Sequence, residues 1–212
     1  MTHIIWDWNG TLFDDIEVVV EATNAVFLPY GLGSLDLQAF RTSYTRPIWV
    51  MYERLLGRDL QDGEWERLDR TFHDSYHRLM RRCGLASDAL TTLTALAALG
   101  HTQSLLSMWQ HDRLVSTVGD LSLTATFRRV DGLRAEDDPG GGKAEFLVRH
   151  LAALGVDPAD VVMIGDSADD AMAATIAGAR AVGYTGGMQS RTDLERLGIP
   201  VVDTLAALRD HL

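Results

Sequence analysis

Apolar and polar positions follow two alternating patterns along most of the chain. Short apolar runs of strand character are separated by longer segments whose apolar residues recur every three to four positions, as in amphipathic helices. Strands are predicted at residues 4–6, 103–107, 125–130, 161–164, 180–184 and 200–202. Helices are predicted at residues 87–99, 112–119, 143–154, 169–178, 190–197 and 203–211. This alternation predicts an α/β fold, a doubly wound and mostly parallel sheet with helices on both faces.

Between the first strand and residue 85 the pattern is helical throughout. Helices are predicted at residues 15–29, 36–44, 47–56 and 64–82. The last of them is strongly amphipathic, with large apolar residues at three- to four-residue spacing: Trp65, Leu68, Phe72, Tyr76 and Leu79. We therefore predict a core formed by residues 1–14 and 85–212, with an all-helical insertion at residues 15–84.

Composition and net charge argue against some classes of binding partner. The chain has 212 residues and a formal net charge of −11, which argues against nucleic acid or an anionic membrane as the partner. No apolar run approaches the ~20 residues that a membrane helix needs, and the N-terminal residues have strand rather than signal-peptide character. Cys83 is the single cysteine, which excludes an intramolecular disulfide and makes the reducing cytoplasm the expected location.

Polar residues follow three of the predicted strands. Asp7 comes directly after the N-terminal strand, Ser107 ends the second strand, and Asp166 follows the strand at residues 161–164. The carboxyl ends of parallel strands meet at one edge of a sheet, which is where such folds bind ligands. A carboxylate at the end of a buried strand is costly unless a cation or hydrogen-bond donors face it. We therefore expect a functional site at this edge.

A third carboxylate belongs to the same site. Asp170 lies four residues after Asp166, a spacing that lets both side chains face the sheet edge from the first turn of the following helix. Together with Asp7 they supply the hard oxygen ligands that Mg²⁺ prefers.

The N-terminal stretch carries a family resemblance. The chain contains the run Asp7-Trp8-Asn9-Gly10-Thr11-Leu12-Phe13-Asp14. This run resembles the first motif of the haloacid dehalogenase-like superfamily, usually written Asp-x-Asp-Gly-Thr-Leu. Ser107, Lys143 and the Asp166/Asp170 spacing after Gly165 resemble the second, third and fourth motifs, in the same order. The resemblance covers essentially the whole chain, and residues 15–84 resemble the helical cap of the phosphoglycolate phosphatase-like branch.

The resemblance implies a Mg²⁺-dependent phosphohydrolase that acts on a small phosphorylated metabolite. Asp7 would be the nucleophile that forms an aspartyl-phosphate. The Ser107 hydroxyl would donate to a phosphoryl oxygen. Lys143, the only lysine of the chain, would balance the clustered carboxylates and the transferring phosphoryl group.

The remaining expected contacts involve the metal and the substrate. The implied Mg²⁺ ligands are Asp7, the backbone carbonyl of Asn9, Asp166 and Asp170. Gly10 and Thr11 of the first motif, and Arg46 of the helical insertion, are the candidate substrate contacts. The guanidinium of Arg46 suits a carboxylate or a phosphate.

Asn9 departs from the family pattern. The family has an aspartate here that serves as general acid and base, whereas an amide can donate a hydrogen bond but cannot protonate a leaving oxygen. Such catalysis contributes about 10²–10⁴-fold. The sequence therefore predicts a slow phosphatase, a phosphatase whose substrates have good leaving groups, or a phospho-ligand-binding protein that has lost turnover. A 2-haloacid dehalogenase is the weakest alternative, because it needs no acidic metal cluster. Asn9→Asp is expected to raise turnover most on poor leaving groups.

Overall fold

The structure, a computed structural model, describes residues 1–135, 137 and 142–212. Its main sheet has six parallel strands in the order β5-β4-β1-β6-β7-β8. The strands of this sheet are β1 (His3–Trp6), β4 (Thr102–Gln110), β5 (Val130–Leu133), β6 (Val161–Gly165), β7 (Arg180–Tyr184) and β8 (Val201–Val202). The order changes direction at β1, so the predicted doubly wound α/β architecture is confirmed.

Helices cover both faces of this sheet. They are α5 (Ala89–Ala98), α6 (His111–Asp120), α7 (Lys143–Leu154), α8 (Ala168–Ala177) and α9 (Arg191–Glu195), with a 3-10 helix at Leu205–His211. Side chains alternate along β1: Ile4 and Trp6 pack with α5 and α6, whereas Ile5 packs with α7 and α8. The central strand is therefore apolar at every interior position, as expected for a parallel strand buried on both faces.

The segment that follows β1 folds as a separate helical layer. It contains α1 (Ile16–Phe27), α2 (Leu37–Ser43), α3 (Ile48–Leu56) and α4 (Glu64–Leu79). These helices share their own apolar cluster, in which α1 packs along α4. The chain enters and leaves the layer through a two-stranded antiparallel sheet formed by β2 (Phe13–Asp14) and β3 (Gly84–Leu85). The layer is thus connected to the main sheet at one place. Among the described residues, no helix is long and apolar enough to cross a membrane.

Two predicted elements were wrong. The strand expected at residues 125–130 begins only at Val130, and residues 124–126 form a 3-10 turn. Asp131 and Gly132 indicate a loop by residue type, yet they lie in β5. The Asp131 carboxylate is satisfied by His150 and Arg129, and Gly132 lies so close to the Trp109 carbonyl that an added Cβ would sit 2.5 Å from it. The C-terminal segment is 3-10 rather than α-helical. Residues 131–142 are rich in Asp and Gly, which by residue type predicts a loop, and part of this segment lies outside the described residues.

A buried chain of polar side chains connects three strands of the sheet, β1, β4 and β5, with helix α7. His3 contacts the Ser104 hydroxyl (2.8 Å), Ser104 contacts His150 (2.8 Å), and His150 contacts Asp131 (2.7 Å). Burial, followed by the charges of His150 and Arg128, lowers the pKa of His3 from 6.5 to about 4. The folded protein therefore holds this imidazole in its neutral form.

This shift predicts acid sensitivity of the fold. Because the folded pKa lies below the unfolded one, the stabilisation is complete above pH 6.5 and is lost as the pH falls towards 4, a loss of roughly 2–3 kcal/mol in unfolding free energy. Urea unfolding at pH 7 and pH 4.5 should show this loss for the wild type and a smaller one for His3→Gln. His73→Gln, a change at a half-exposed histidine, is the control. Equal losses in wild type and His3→Gln would contradict the assignment.

Candidate active site

The carboxyl edge of the sheet assembles three carboxylates and one ammonium. Asp7 directly follows β1, and its N–H donates to the Ile164 carbonyl (2.8 Å), which keeps it in register with β6. Asp166 directly follows β6, Asp170 lies in the first turn of α8, and Lys143 is the first residue of α7. All four side chains are buried. The sheet edge predicted from the sequence therefore exists, and these four residues meet there.

The distances within this cluster are short. Oxygen atoms of Asp7, Asp166 and Asp170 lie within 4.8 Å of one another. The Lys143 Nζ lies 2.6 Å from Asp7 Oδ1 and 2.5 Å from Asp170 Oδ1. The ammonium of Lys143 thus contacts two of the three clustered carboxylates, inside a site from which water is largely excluded.

The pKa values of these groups show that one ammonium does not offset the negative charge of three buried carboxylates. Burial, together with the charge of Asp170, raises the pKa of Asp7 to about 6 despite the contact with Lys143. Burial and the charges of Asp7 and Asp170 raise the pKa of Asp166 well above its ordinary value. Burial by itself would lower the pKa of Lys143, but Asp170 and Asp7 outweigh it and raise the pKa above its usual range. The site is short of positive charge, and its donor set fits a hard divalent cation.

Glycines allow two loops to approach Asp166. A Cβ on Gly187 would lie 1.9 Å from Asp166 Oδ2, and one on Gly10 would lie 2.5 Å from the same atom. Gly10 also has φ +72°, a conformation that favours glycine. Its N–H donates to Asp15 Oδ1 (2.8 Å) and is engaged within the chain. The observed role of Gly10 is therefore to leave space for Asp166 rather than to present a free donor.

The structure corrects the position of Ser107. It was expected to end its strand, but β4 continues to Gln110, where it pairs with Leu133. The Ser107 Oγ is buried and accepts a hydrogen bond from the Trp109 N–H (3.0 Å), which leaves its own hydrogen available to donate. Thr11 is fully buried, and among the described residues its hydroxyl has no hydrogen-bond partner.

Asn9 makes contacts that the sequence did not reveal. Its Nδ2 lies 2.7 Å from Asp15 Oδ2 and 2.7 Å from the Tyr76 hydroxyl, and Tyr76 donates to the same Asp15 oxygen at 2.5 Å. Asp15 is 1 % exposed. Burial raises its pKa, while hydrogen bonds from Tyr76, Asn9 and the Gly10 N–H oppose that rise. The only sequence signal for Asp15 was its place beside the first motif. Tyr76 was predicted only as an apolar-face residue.

Two arginines of the helical layer contact α8 and the segment that follows β7. The Arg46 Nε lies 2.9 Å from Asp169 Oδ2, and the guanidinium is half exposed. Arg41 donates to the backbone carbonyls of Gly187 (2.9 Å) and Thr185 (2.8 Å). Asp169 is the neighbour of Asp170, so Arg46 lies at the rim of the carboxylate cluster. It is the one candidate substrate contact that comes from the helical layer.

Comparisons with known proteins identify the family and the fold. The model of the family described as haloacid dehalogenase-like hydrolase matches residues 4–184. A phosphoglycolate phosphatase of Psychrobacter arcticus is 24% identical over 232 residues, covering 99% of this chain and 94% of the relative. One from Chromobacterium violaceum is 29% identical over 217 residues, covering 98% and 94%. Among solved structures, a haloacid dehalogenase-like family hydrolase from Streptococcus pneumoniae superposes with a TM-score of 0.83 at 17% identity, covering 100% of this chain and 98% of the other.

Proposed function

Because the chain belongs to the haloacid dehalogenase-like hydrolase family, we propose that it is a phosphatase in which Asp7 is the nucleophile. The observation that carries the proposal is the buried cluster of Asp7, Asp166 and Asp170 around the single ammonium of Lys143. A buried excess of negative charge is costly to keep in a folded protein. It is expected where a site needs cation ligands and a carboxylate nucleophile together.

The proposed reaction has two displacements. The Asp7 carboxylate attacks phosphorus, an aspartyl-phosphate forms, and the alcohol oxygen of the substrate leaves. Water then attacks the phosphorus of this acyl phosphate, releases inorganic phosphate and restores Asp7. Lys143 holds the Asp7 oxygen at 2.6 Å and offsets the charge of the incoming phosphoryl group. The free hydrogens of Ser107 and Thr11 are proposed donors to the phosphoryl oxygens.

The residues present fit a divalent metal ion, and we propose Mg²⁺. Asp7, Asp166, Asp170 and the backbone carbonyl of Asn9 would hold it. When bound, it would polarise the phosphoryl oxygens as a Lewis acid and reduce the repulsion among the carboxylates.

We further propose that residues 15–84 are a cap over a core formed by residues 1–14 and 85–212. Contacts of Arg41 with Gly187, of Arg46 with Asp169 and of Tyr76 with Asn9 join the two parts and support this division. A cap in this position would exclude water from the reaction.

The proposed substrate is a small phosphorylated carboxylic acid, such as 2-phosphoglycolate. The names of the curated relatives support this choice. So does Arg46, because a guanidinium that pairs with the Asp169 carboxylate can pair with a substrate carboxylate instead.

The second candidate is a phospho-ligand-binding protein with little turnover. The observation that favours it is the Asn9 side chain, which cannot supply a proton and is held by Asp15. A haloacid dehalogenase is the weaker alternative, because it gives no purpose to the three-carboxylate cluster.

Phosphate release from 2-phosphoglycolate and from an aryl phosphate should separate these functions. We expect release that requires Mg²⁺ and stops with a chelator, together with Mg²⁺ stabilisation in thermal unfolding of about 2.7 kcal/mol at a concentration 100 times the Kd. The binding protein would be stabilised by Mg²⁺ and beryllium fluoride without releasing phosphate, and a dehalogenase would release halide without Mg²⁺.

Asp166→Asn is the variant that tests the proposed metal site, because it replaces one of the proposed metal ligands. It should raise the thermal stability of the metal-free protein, because it removes one of three mutually repelling buried carboxylates. It should also lose most of the stabilisation by Mg²⁺. Phosphate release that is equal with and without the chelator would refute the metal-dependent mechanism.

A further inference from the structure

We propose that Asp15 is a positioning residue for this reaction: it orients the Asn9 amide, and Tyr76 of α4 completes the arrangement only when the helical layer lies on the core. This inference rests on the proposed function. It assigns a role to a buried carboxylate that lies outside the four family motifs. It also explains why position 9 is an amide.

The first step is the direction of the Asn9 amide. A carboxylate only accepts hydrogen bonds, so Asp15 fixes the Nδ2 side of Asn9 against its Oδ2. The two acceptors of Nδ2 lie at 2.7 Å each and 2.5 Å from one another, which gives an angle of about 55° at the nitrogen. The two hydrogens of a primary amide diverge by about 120°. The two hydrogens therefore cannot both point straight at these acceptors, and we infer that one hydrogen is shared between Asp15 and Tyr76, which leaves the other for another acceptor.

The second step concerns the charges of the side chains at positions 9 and 15. Asp15 is held by neutral donors: the Gly10 N–H at Oδ1, and Asn9 and Tyr76 at Oδ2. An aspartate at position 9 in the same rotamer would place a second carboxylate about 2.7 Å from the buried Asp15, a distance taken from the Asn9 contact. Like charges that close cannot both stay ionised. Asn9 and Asp15 are therefore a matched pair, in which a carboxylate at position 15 requires an amide at position 9.

The third step is the link to the helical layer. Tyr76 is 61 residues away from Asp15 in the chain and is 4 % exposed. Asp15 immediately precedes α1, and Asn9 lies in the loop that follows the Asp7 nucleophile. Asp15 and Tyr76 both belong to the segment of residues 15–84, so their contacts with Asn9 exist together only while α1 and α4 lie against that loop. The orientation of the Asn9 amide thus depends on the helical layer lying against the core. In this proposal the oriented amide is the donor to the leaving oxygen.

The leaving-group dependence of turnover tests this role. In Asp15→Asn an NH2 group replaces one acceptor oxygen, so the side chain can no longer accept from both the Gly10 N–H and the Asn9 amide. The Asn9 amide is then held less firmly, and we expect kcat to fall at least tenfold for phosphate esters with poor leaving groups. For a nitrophenyl phosphate, whose leaving oxygen needs little help, the fall should be threefold or less. Glu17→Gln, an exposed change two residues away, should leave both rates unchanged. An equal loss for good and poor leaving groups would mean a purely structural role and would overturn the proposal.

The paired substitution tests the match between the two positions. Asn9→Asp alone should lower turnover on poor leaving groups, and adding Asp15→Asn should restore at least part of it. A gain of turnover in Asn9→Asp that needs no change at position 15 would overturn the proposal.

Thermal unfolding tests the contact between Tyr76 and Asp15 without relying on phosphatase activity. In the wild-type background Tyr76→Phe should weaken folding about tenfold in the unfolding equilibrium, the size of one hydrogen bond to a charged group. In the Asp15→Asn background the same change should have a clearly smaller effect, and equal effects in both backgrounds would overturn the proposed contact. A wild type without phosphatase activity that nevertheless shows this coupling would refute the proposed function and leave the contact established.

Discussion

Asp7→Asn is expected to reduce phosphate release by at least about 10³-fold, because no acyl phosphate can form on an amide. The variant should still fold. Burial raises the pKa of Asp7 to about 6, which means that the folded site disfavours the charged form and tolerates a neutral side chain of the same shape. The loss of rate would therefore report chemistry rather than unfolding.

The measurement is the rate of phosphate release at saturating 2-phosphoglycolate and Mg²⁺, with thermal unfolding of the same samples. Asp14→Asn is a matched control, because Asp14 is an exposed aspartate on β2 within the same motif. A variant at position 7 that kept more than a tenth of the wild-type rate would rule out Asp7 as the nucleophile.

The second large effect is expected at Lys143. Its ammonium is the one cation in contact with Asp7 and Asp170 among the described residues, and it is buried. Lys143→Met leaves the carboxylates without that counter-charge, which should lower the free energy of unfolding by about 3–5 kcal/mol in the absence of metal. Turnover should fall as well, because the charge beside the phosphoryl group is lost.

Urea unfolding with and without Mg²⁺ tests this expectation. The destabilisation should shrink with Mg²⁺, and it should also shrink below pH 6, where Asp7 takes up a proton and the repulsion declines. Arg149→Met, on the same helix α7 but at an exposed position, is the control. A loss below about 1 kcal/mol at pH 7 would show that Lys143 does not carry the charge balance of the site.

The structure also changes one sequence-based expectation. From the family motif alone, Asn9→Asp should restore the missing acid and raise turnover. With Asp15 Oδ2 at 2.7 Å from the Asn9 amide nitrogen, the new carboxylate would instead meet a buried anion. A departure from a family motif is therefore best interpreted together with the residues in contact with it. Here the compensating residue lies six positions further along the chain.

Local patterns were sufficient for most elements of the fold. The helix predicted at residues 143–154 and the strand predicted at residues 180–184 match α7 and β7. Periodicity is a local property, so a short window of sequence determines it. The strand at residues 125–130 failed because Asp131 and Gly132 are stabilised in β5 by partners distant in sequence. The family and the phosphatase class, predicted from four motifs in order, are confirmed by the family model and by the curated relatives.

The sequence by itself determined the alternation of strands and helices, and the placement of Asp7 and Asp166 directly after two strands that share a sheet edge. Only the tertiary structure decided which groups touch. Lys143 meets Asp7 across 136 residues, and Tyr76 meets Asp15 across 61 residues. The physical reason is that secondary structure follows from neighbours in the chain, whereas a shared ammonium or a fixed amide depends on how separately formed helices pack against the sheet.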